Sequence, residues 1–253
     1  MTFLSYFYHL ALPLGLILVL PLSGAYLAGQ DLSFYLAFPP RPDIRPHAAF
    51  SLAVFILILI FTTGSLLPFF KQAVSYKKKA GLAAFKPFPW WGWLSLAALS
   101  FFWFIAWTRF DLFKSIQAHT FFPIWLGFIF LVNALICRTG RQPLTSDPFR
   151  LTLLFVVSAG FWWLFEYLNR FVGNWYYTGA QYPAVEYFLL ATLSFSTVLP
   201  AVESVKSLLQ TTDLFKHGFR QMTAFPWLGS RVTGWLMTGI ASFFLVLIPI
   251  FPD

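Results

Sequence analysis

The sequence predicts an all-α fold: a polytopic bundle of transmembrane helices forming a single membrane domain over residues 1–253. Composition is the first reason, because 58% of the 253 residues are hydrophobic and only 10% are charged, whereas soluble proteins carry about 25% charged residues. Long apolar runs are the second, since several approach the roughly 18 residues that mark a membrane-spanning helix. We therefore expect an integral membrane protein, located in the inner membrane of a bacterium.

About seven spans can be drawn from the apolar runs. They cover residues 4–28, 48–70, 89–108, 119–137, 151–170, 184–205 and 232–251. Prolines inside the first and sixth runs are compatible with helices, since neighbouring helices in a membrane can satisfy the carbonyls that proline frees. The first run lacks the positively charged start of a signal peptide, so we expect it to be retained as a helix.

Basic residues set the predicted orientation. Twelve of the 17 Lys and Arg residues fall in three loops, 71–86, 138–150 and 206–231, which alternate with loops that hold few. Cytoplasmic loops carry an excess of Lys and Arg, so we expect these loops and the N-terminus inside and the C-terminus outside. Tryptophans at both ends of the third span, at 90–93 and 103–107, match the aromatic belts of membrane interfaces.

The distribution of charge, cysteine and histidine along the chain argues against several partners and cofactors. The net charge of +8 is spread over alternate loops rather than one surface stripe, so we expect no nucleic-acid partner. The single cysteine, Cys137, allows no internal disulfide and no cysteine-based metal site. The four histidines do not face one another at one depth, which argues against haem: they are His9, His47, His119 and His217. We expect no cofactor and no metal.

Ionisable side chains inside the spans form the candidate site. Glu166 lies near the outer end of the fifth span, and Arg170, one turn later, is expected to pair with it. Glu186 enters the sixth span at the same depth, while Glu203 beside Lys206 predicts an inner ion pair. Such residues cost about 2.5–3.5 kcal/mol on insertion scales and usually face the bundle interior, which makes them functional candidates. The alternative is that they only anchor helix ends.

A spaced motif follows the end of the fifth span. In FEYLNRFVGNWYY, residues 165–177, Glu166 is followed by Gly173, Trp175 and Tyr177 at offsets of 7, 9 and 11. This pattern resembles the small, cofactor-independent lycopene cyclases of membranes. That family has Asp-Asn at the helix end, the same three residue types at the same offsets, and then Pro-Leu-Glu-Glu-Tyr opening the next helix.

The next helix extends the resemblance. PAVEYFLL, residues 183–190, stands where the family has Pro-Leu-Glu-Glu-Tyr, with Glu186 and Tyr187 at the last two positions of that motif. Val185 replaces the first of the paired acids, and Tyr167 replaces the Asn beside the helix-end Asp. The family is built from two three-helix halves, which implies that spans two to four and five to seven are repeats and that span one is an addition.

The resemblance implies acid–base chemistry on an isoprenoid or another long lipid, as an intramolecular lyase or isomerase. Glu166 and Glu186 would be the catalytic pair, giving a proton to a polyene end group and taking one back. Five residues would bind the ligand: Asn169, Arg170, Trp175, Tyr177 and Tyr187. A carboxylic acid in apolar surroundings can stay neutral enough to donate a proton, whereas a neighbouring guanidinium favours its charged form.

Two other functions stay open. The first is a non-catalytic module, either an assembly subunit or a lipid-binding scaffold, with a membrane protein or a second copy of itself as partner. The second is a small-solute or proton-coupled transporter. A cavity shared by Glu166 and Glu186 would favour the enzyme. A fully hydrogen-bonded Glu166 would favour the scaffold, and a polar path through the bundle would favour the transporter.

Overall fold

The chain is helical throughout the part that the structure describes. The computed structural model describes residues 3–38, 49–76, 85–177, 182–219 and 231–251. Of these, 81% are helical and none lies in a strand. The α-helices in chain order are α1 (Phe3–Leu27), α2 (Leu32–Leu36), α3 (Leu52–Ser75), α4 (Trp90–Trp107), α5 (Lys114–Gln117), α6 (Phe121–Arg138), α7 (Pro148–Val172), α8 (Ala184–Ser196), α9 (Val198–Leu209) and α10 (Arg231–Ile250). His47 and parts of two basic loops, 77–84 and 220–230, lie outside the described residues.

Six segments are long and apolar enough to cross a membrane, which confirms a polytopic integral membrane protein. They are Leu52–Ser75, Trp90–Trp107, Phe121–Arg138, Pro148–Val172, Ala184–Leu209 and Val232–Ile250. At the first predicted span, α1 contributes a shorter apolar stretch, Ala11–Leu27. Helix ends differ from the predicted bounds by at most about a turn and a half. The orientation and the three-helix repeats stay predictions.

The sixth span is interrupted at Thr197, between α8 and α9. Pro200 favours the break, because proline has no amide hydrogen and its ring crowds the carbonyl four residues earlier, although α1 continues through Pro13 and Pro21. Ser158 of α7 bridges the gap: its hydroxyl donates to the Phe195 carbonyl at 2.5 Å and accepts from the Leu199 amide at 3.0 Å. One carbonyl and one amide at the break are thus satisfied by a neighbouring helix.

The chain divides into two compact units. The first comprises residues 1–50, 164–188 and 223–253. In it α1 packs against α10. Gly24 allows this close approach, since a side-chain carbon there would lie 2.2 Å from the carbonyl oxygen of Val246. Beside this contact, Ala25, Tyr35 and Phe171 form a small buried core.

The second unit comprises residues 51–163 and 189–222. In it α6 packs against both α4 and α9. Gly127 of α6 lies against α4, where an added side-chain carbon would come within 3.2 Å of the Leu99 backbone. Asn133, fully buried, joins α6 to α9 by donating to the Ser204 hydroxyl at 2.8 Å.

The predicted ion pair at the end of the sixth span is confirmed. Lys206 Nζ lies 3.0 Å from one carboxylate oxygen of Glu203, and a guanidinium nitrogen of Arg150 lies 2.9 Å from the other. Both basic side chains are 58% exposed. Exposed pairs of this kind contribute only about 0–1 kcal/mol, so the network orients helix ends more than it stabilises them.

Candidate functional site

The stretch 165–177 folds back on the end of α7. The helix ends at Val172, and Gly173 follows with a φ of +62°, a left-handed conformation that glycine adopts without a steric cost. Its amide donates to the Asn169 carbonyl at 2.7 Å, the bond that closes a helix followed by a left-handed residue. Residues 174–177 then return toward the polar side chains of the last helical turns.

Asn169 holds the returning segment by its backbone. Its Nδ2 donates to the Trp175 carbonyl at 2.8 Å, and its Oδ1 accepts from the Trp175 amide at 3.3 Å. A side-chain amide can do both because it carries a donor and an acceptor. One side chain therefore satisfies both polar backbone groups of a residue at a helix end, where an unpaired group in lipid is expensive.

Glu166 accepts two hydrogen bonds at one carboxylate oxygen. The indole Nε1 of Trp175 donates to Oε1 at 2.9 Å, and the Tyr177 hydroxyl donates to the same atom at 2.6 Å. The second oxygen, Oε2, makes no hydrogen bond to the described residues. Because none of their buried polar side-chain atoms lacks a partner, Oε2 must reach the surface. It is the oxygen left for a proton or a ligand.

The predicted ion pair between Glu166 and Arg170 is wrong. The Arg170 guanidinium donates instead to the carbonyls of Tyr35 and Ala37, the latter at 3.0 Å. These carbonyls lie at the end of α2, where a helix leaves its last carbonyls without partners and with partial negative charge. Arg170 thus ties α7 to α2, and the Tyr35 ring stacks on Phe171 beside it, at 4.4 Å between ring centres.

The start of α2 is capped as well. The Asp31 carboxylate accepts from the Ser33 hydroxyl at 2.6 Å and from the Ser33 amide at 2.9 Å. These two bonds, the hydroxyl first, hold the pKa of the Asp31 carboxyl below its usual range. A helix of five residues is too short to be stable alone. Its cap and its contact with Arg170 explain why it forms here.

Most of the predicted site comes together in one place. Glu166, Asn169, Trp175 and Tyr177 form a hydrogen-bonded group, which we call the α7 set. Tyr187 of α8 is 7% exposed and joins the α7 set through the Tyr177 ring, at 6.5 Å between ring centres. The part of the motif within residues 166–177, together with Tyr187, is therefore also a unit in space.

Glu186 stays apart from the α7 set. Its side chain is exposed, and no hydrogen bond or ion pair joins it to the residues that the structure describes. Only one of the two predicted catalytic carboxylates therefore belongs to the α7 set. Within the described ranges, His, Cys, Asp and Glu side chains also form no group of three or more that could hold a metal ion.

Tyr167, which stands at the position of the family asparagine, has a partner that sequence reasoning missed. Its hydroxyl donates to the Leu18 carbonyl of α1 at 2.6 Å. A tyrosine inside an apolar helix usually finds a partner for its hydroxyl. Such a residue was therefore a signal for a helix contact, although the sequence does not say with which helix.

A second candidate site is a groove between α4 and α6, which we call the α4–α6 groove. It has a volume of about 900 Å³ and lies entirely in the second unit. Its walls are mostly aromatic and aliphatic, with Ser100 and Thr108 as the hydroxyl-bearing residues. None of the seven predicted site residues lines it.

Residue size along the two helices explains the groove. The helices touch where Gly127 meets Leu99. Beyond that point the lining residues are large rings, Trp103 and Trp107 on α4 and Trp125 on α6, and the space between the helices stays open. The sequence pattern predicted Trp103 and Trp107 in an interfacial belt. Their spacing of four residues, which puts them on one face of a helix, was the signal for a groove wall.

The connector from α4 to α6, residues 108–120, is packed on the end of α4 beside the groove. Gln117 Nε2 donates to the Ile105 carbonyl at 3.0 Å and to the Thr108 carbonyl. Three rings lie 6.4–6.5 Å from one another, those of Phe104, Phe110 and Phe113. These contacts give the connector a defined position at the groove's end.

Comparisons with known proteins add no family. No family model, no curated protein and no solved structure matches the chain. Function is therefore inferred from the two candidate sites themselves, the α7 set and the α4–α6 groove.

Proposed function

We propose that this protein binds a long apolar lipid inside the membrane, an isoprenoid by preference, and that the α4–α6 groove is its binding site. The observation that carries the proposal is the groove of about 900 Å³, since small-molecule sites span about 300–1,000 Å³. Apolar and aromatic walls with a few polar groups are typical of such sites. The proposed location is the inner membrane of a bacterium.

Rigid aromatic walls would give the groove a preference among lipids. Burial alone gives none, because lipid tails are as apolar as the groove. Selection has to come from shape and dispersion contacts, which the flat rings of Trp103, Trp107 and Trp125 supply. A chain stiffened by double bonds loses less conformational freedom on such a surface than a saturated chain. This difference favours an unsaturated isoprenoid over an ordinary acyl chain.

The length of the groove suits a ligand from one leaflet. From Leu99 to Thr108, α4 rises about 14 Å at 1.5 Å per residue. The hydrocarbon core of a bilayer is about 30 Å thick, so the groove covers about half of it. A chain of one leaflet, or one end of a longer polyene, fits this length.

Lipid co-purification tests the proposal. Wild-type protein and the variants W103A, W125A and W235A would be purified from the same membranes, and their bound lipids identified by mass spectrometry. Trp235 is the matched control, since it is 69% exposed on α10 and lies outside the groove. We expect an isoprenoid enriched in wild type and W235A and reduced at least about tenfold in both groove variants. The same lipid composition in all four proteins would refute the proposal.

A second candidate function is acid–base catalysis on a bound isoprenoid at Glu166, as the resemblance to lycopene cyclases implies. The accessible Oε2 of Glu166 favours it, together with the rings of Trp175 and Tyr177, whose π-faces can stabilise a carbocation. With Glu186 apart, one carboxyl group would give a proton to one alkene carbon and take a proton from a neighbouring carbon. That is an isomerisation without net oxidation.

Product analysis tests this second function. Membranes containing wild type, E166Q or E186Q would be supplied with lycopene, and the products separated by chromatography. We expect a cyclised or isomerised product with wild type and E186Q, and none with folded E166Q. Unchanged lycopene with wild type would exclude this reaction, and product formation by E166Q would remove Glu166 from it.

A further inference from the structure

We infer that the lipid in the α4–α6 groove carries a phosphate at its polar end, and that Arg109 and Lys114 bind this phosphate. The inference rests on the proposed lipid-binding function and names the ligand class: a prenyl phosphate, with its chain in the groove and its phosphate at the connector 108–120.

Arg109 stands directly after the groove. It follows Thr108, and its NH1 donates to the carbonyls of Ala106 at 3.4 Å and Thr108 at 3.1 Å. These bonds hold the guanidinium at the end of α4, while Nε and NH2 make no hydrogen bond to the described residues. The side chain is exposed. Neighbouring guanidinium donors suit a phosphate, which accepts such bonds in pairs.

Lys114 adds a second positive charge on the same connector. Its side chain is exposed at the start of α5. Asp111 lies between the two basic residues in sequence, but within the described residues it forms no ion pair with either. His119 is the remaining titratable side chain of the connector. The formal charges of Arg109, Asp111 and Lys114 give this part of the chain a net charge of +1.

The end of α4 does not oppose an anion as strongly as a bare helix end would. Carbonyls at a helix C-terminus carry partial negative charge and repel anions. Here the carbonyls of Ile105, Ala106 and Thr108 already accept hydrogen bonds from Gln117 and Arg109. These bonds offset part of the local negative charge, and the Nε and NH2 groups of Arg109 keep donors for an anion.

Depth and topology support the same ligand. A chain seated in a groove one leaflet deep has its polar end at the membrane interface, next to the connector that carries Arg109 and Lys114. The predicted orientation puts this connector on the outer side, where Lys and Arg are scarce. Two cations beside an apolar groove on that side complement a ligand with an apolar chain and an anionic head.

Matched ligands test the inference. Full-length protein in uncharged phosphatidylcholine nanodiscs would be titrated with farnesol and with farnesyl monophosphate, which share one chain, and binding followed by tryptophan fluorescence. The proteins are wild type, R109Q, K114Q and R138Q. Arg138 is the control, since it is exposed at the opposite end of α6. We expect wild type and R138Q to bind the phosphate at least about tenfold tighter than the alcohol, with the preference shrinking at high salt. In R109Q the preference for the phosphate over the alcohol should fall to about twofold, and in K114Q it should fall to an intermediate value.

The outcomes separate this inference from the function on which it rests. Equal affinity for alcohol and phosphate in wild type would overturn the phosphate site and leave lipid binding intact. No binding of either ligand would overturn both. Displacement of farnesyl phosphate by equimolar inorganic phosphate would assign the cations to a free anion and overturn the prenyl phosphate. If R138Q loses the preference for the phosphate as much as R109Q does, the effect is one of general charge, and the phosphate site is overturned as well.

Discussion

Asn169 satisfies both backbone polar groups of Trp175, six residues further along the chain. Glu166 binds the indole of the same tryptophan, so two side chains of α7 fix both its backbone and its ring. The segment after α7 is thus positioned by side chains of that helix, and the motif has a structural role whether or not it is also catalytic.

Removing the Glu166 carboxylate should destabilise the protein. In E166A the Trp175 indole and the partly exposed Tyr177 hydroxyl lose their acceptor, and we expect a loss of about 1–2 kcal/mol. E166Q, which keeps a neutral acceptor, should fall between E166A and wild type. The measurement is thermal unfolding in detergent, followed by circular dichroism. E186A is the control because Glu186 is exposed and outside the α7 set, and an equal loss in E186A would contradict the assignment.

Asn169 and Asn174, five residues apart, allow a matched comparison of a hydrogen-bonded and an exposed asparagine. N169A should lower the free energy of unfolding by about 1–3 kcal/mol, because both backbone groups of Trp175 lose their partner. N174A should change it by less than about 0.5 kcal/mol, because Asn174 is exposed. Denaturant titrations of both variants would decide, and similar losses would show that the backbone contacts of Asn169 contribute nothing specific.

The contact between Arg170 and α2 predicts a local effect. Both carbonyls of Tyr35 and Ala37 accept from NH1, at the far end of the arginine side chain, and the shorter side chain of lysine in R170K does not reach that position. We expect amide hydrogen exchange in α2 to rise by about tenfold while the long helices keep their protection. R109K is the control, since Arg109 binds only carbonyls at the end of α4. Unchanged exchange in R170K would mean that α2 is held by its packing alone.

The break in the sixth span predicts energetic coupling between Ser158 and Pro200. S158A leaves the Phe195 carbonyl and the Leu199 amide without their shared partner, at a cost of about 1–3 kcal/mol for each group. P200A permits a continuous helix, so S158A should cost less in that background. A double-mutant cycle of thermal unfolding measures this coupling. Additive effects would exclude it, and S196A, whose hydroxyl bonds only its own helix, should be nearly neutral.

Much of the fold could be predicted because it depends on local composition. The spans follow from apolar runs, and the Glu203–Lys206 pair follows from a spacing of three residues on one helix. The break at Thr197 was not predicted, because proline alone does not decide where a membrane helix breaks: α1 continues through Pro13 and Pro21. The bridge made by Ser158 was not predicted either, since that serine comes from another helix.

The candidate site shows the same limit. Trp175 and Tyr177 lie against Glu166 because a left-handed Gly173 returns the chain to residues only a few positions away. The predicted partner of Arg170 was wrong. The carbonyls that accept from its guanidinium lie about 135 residues earlier in the chain, whereas the Glu166 carboxylate lies only one helical turn away in sequence. The α4–α6 groove escaped prediction because it depends on how two helices pack.

The serine that bridges the break in the sixth span also bears on how the protein is made. An isolated sixth span entering the bilayer would expose the Phe195 carbonyl and the Leu199 amide to lipid, which offers no hydrogen bonds. It therefore depends on α7, the helix that precedes it in synthesis, to supply Ser158. During biogenesis the fifth and sixth spans should therefore leave the translocon together as a hairpin. The Ser158 hydroxyl would then satisfy the broken backbone of the sixth span as that span enters the lipid.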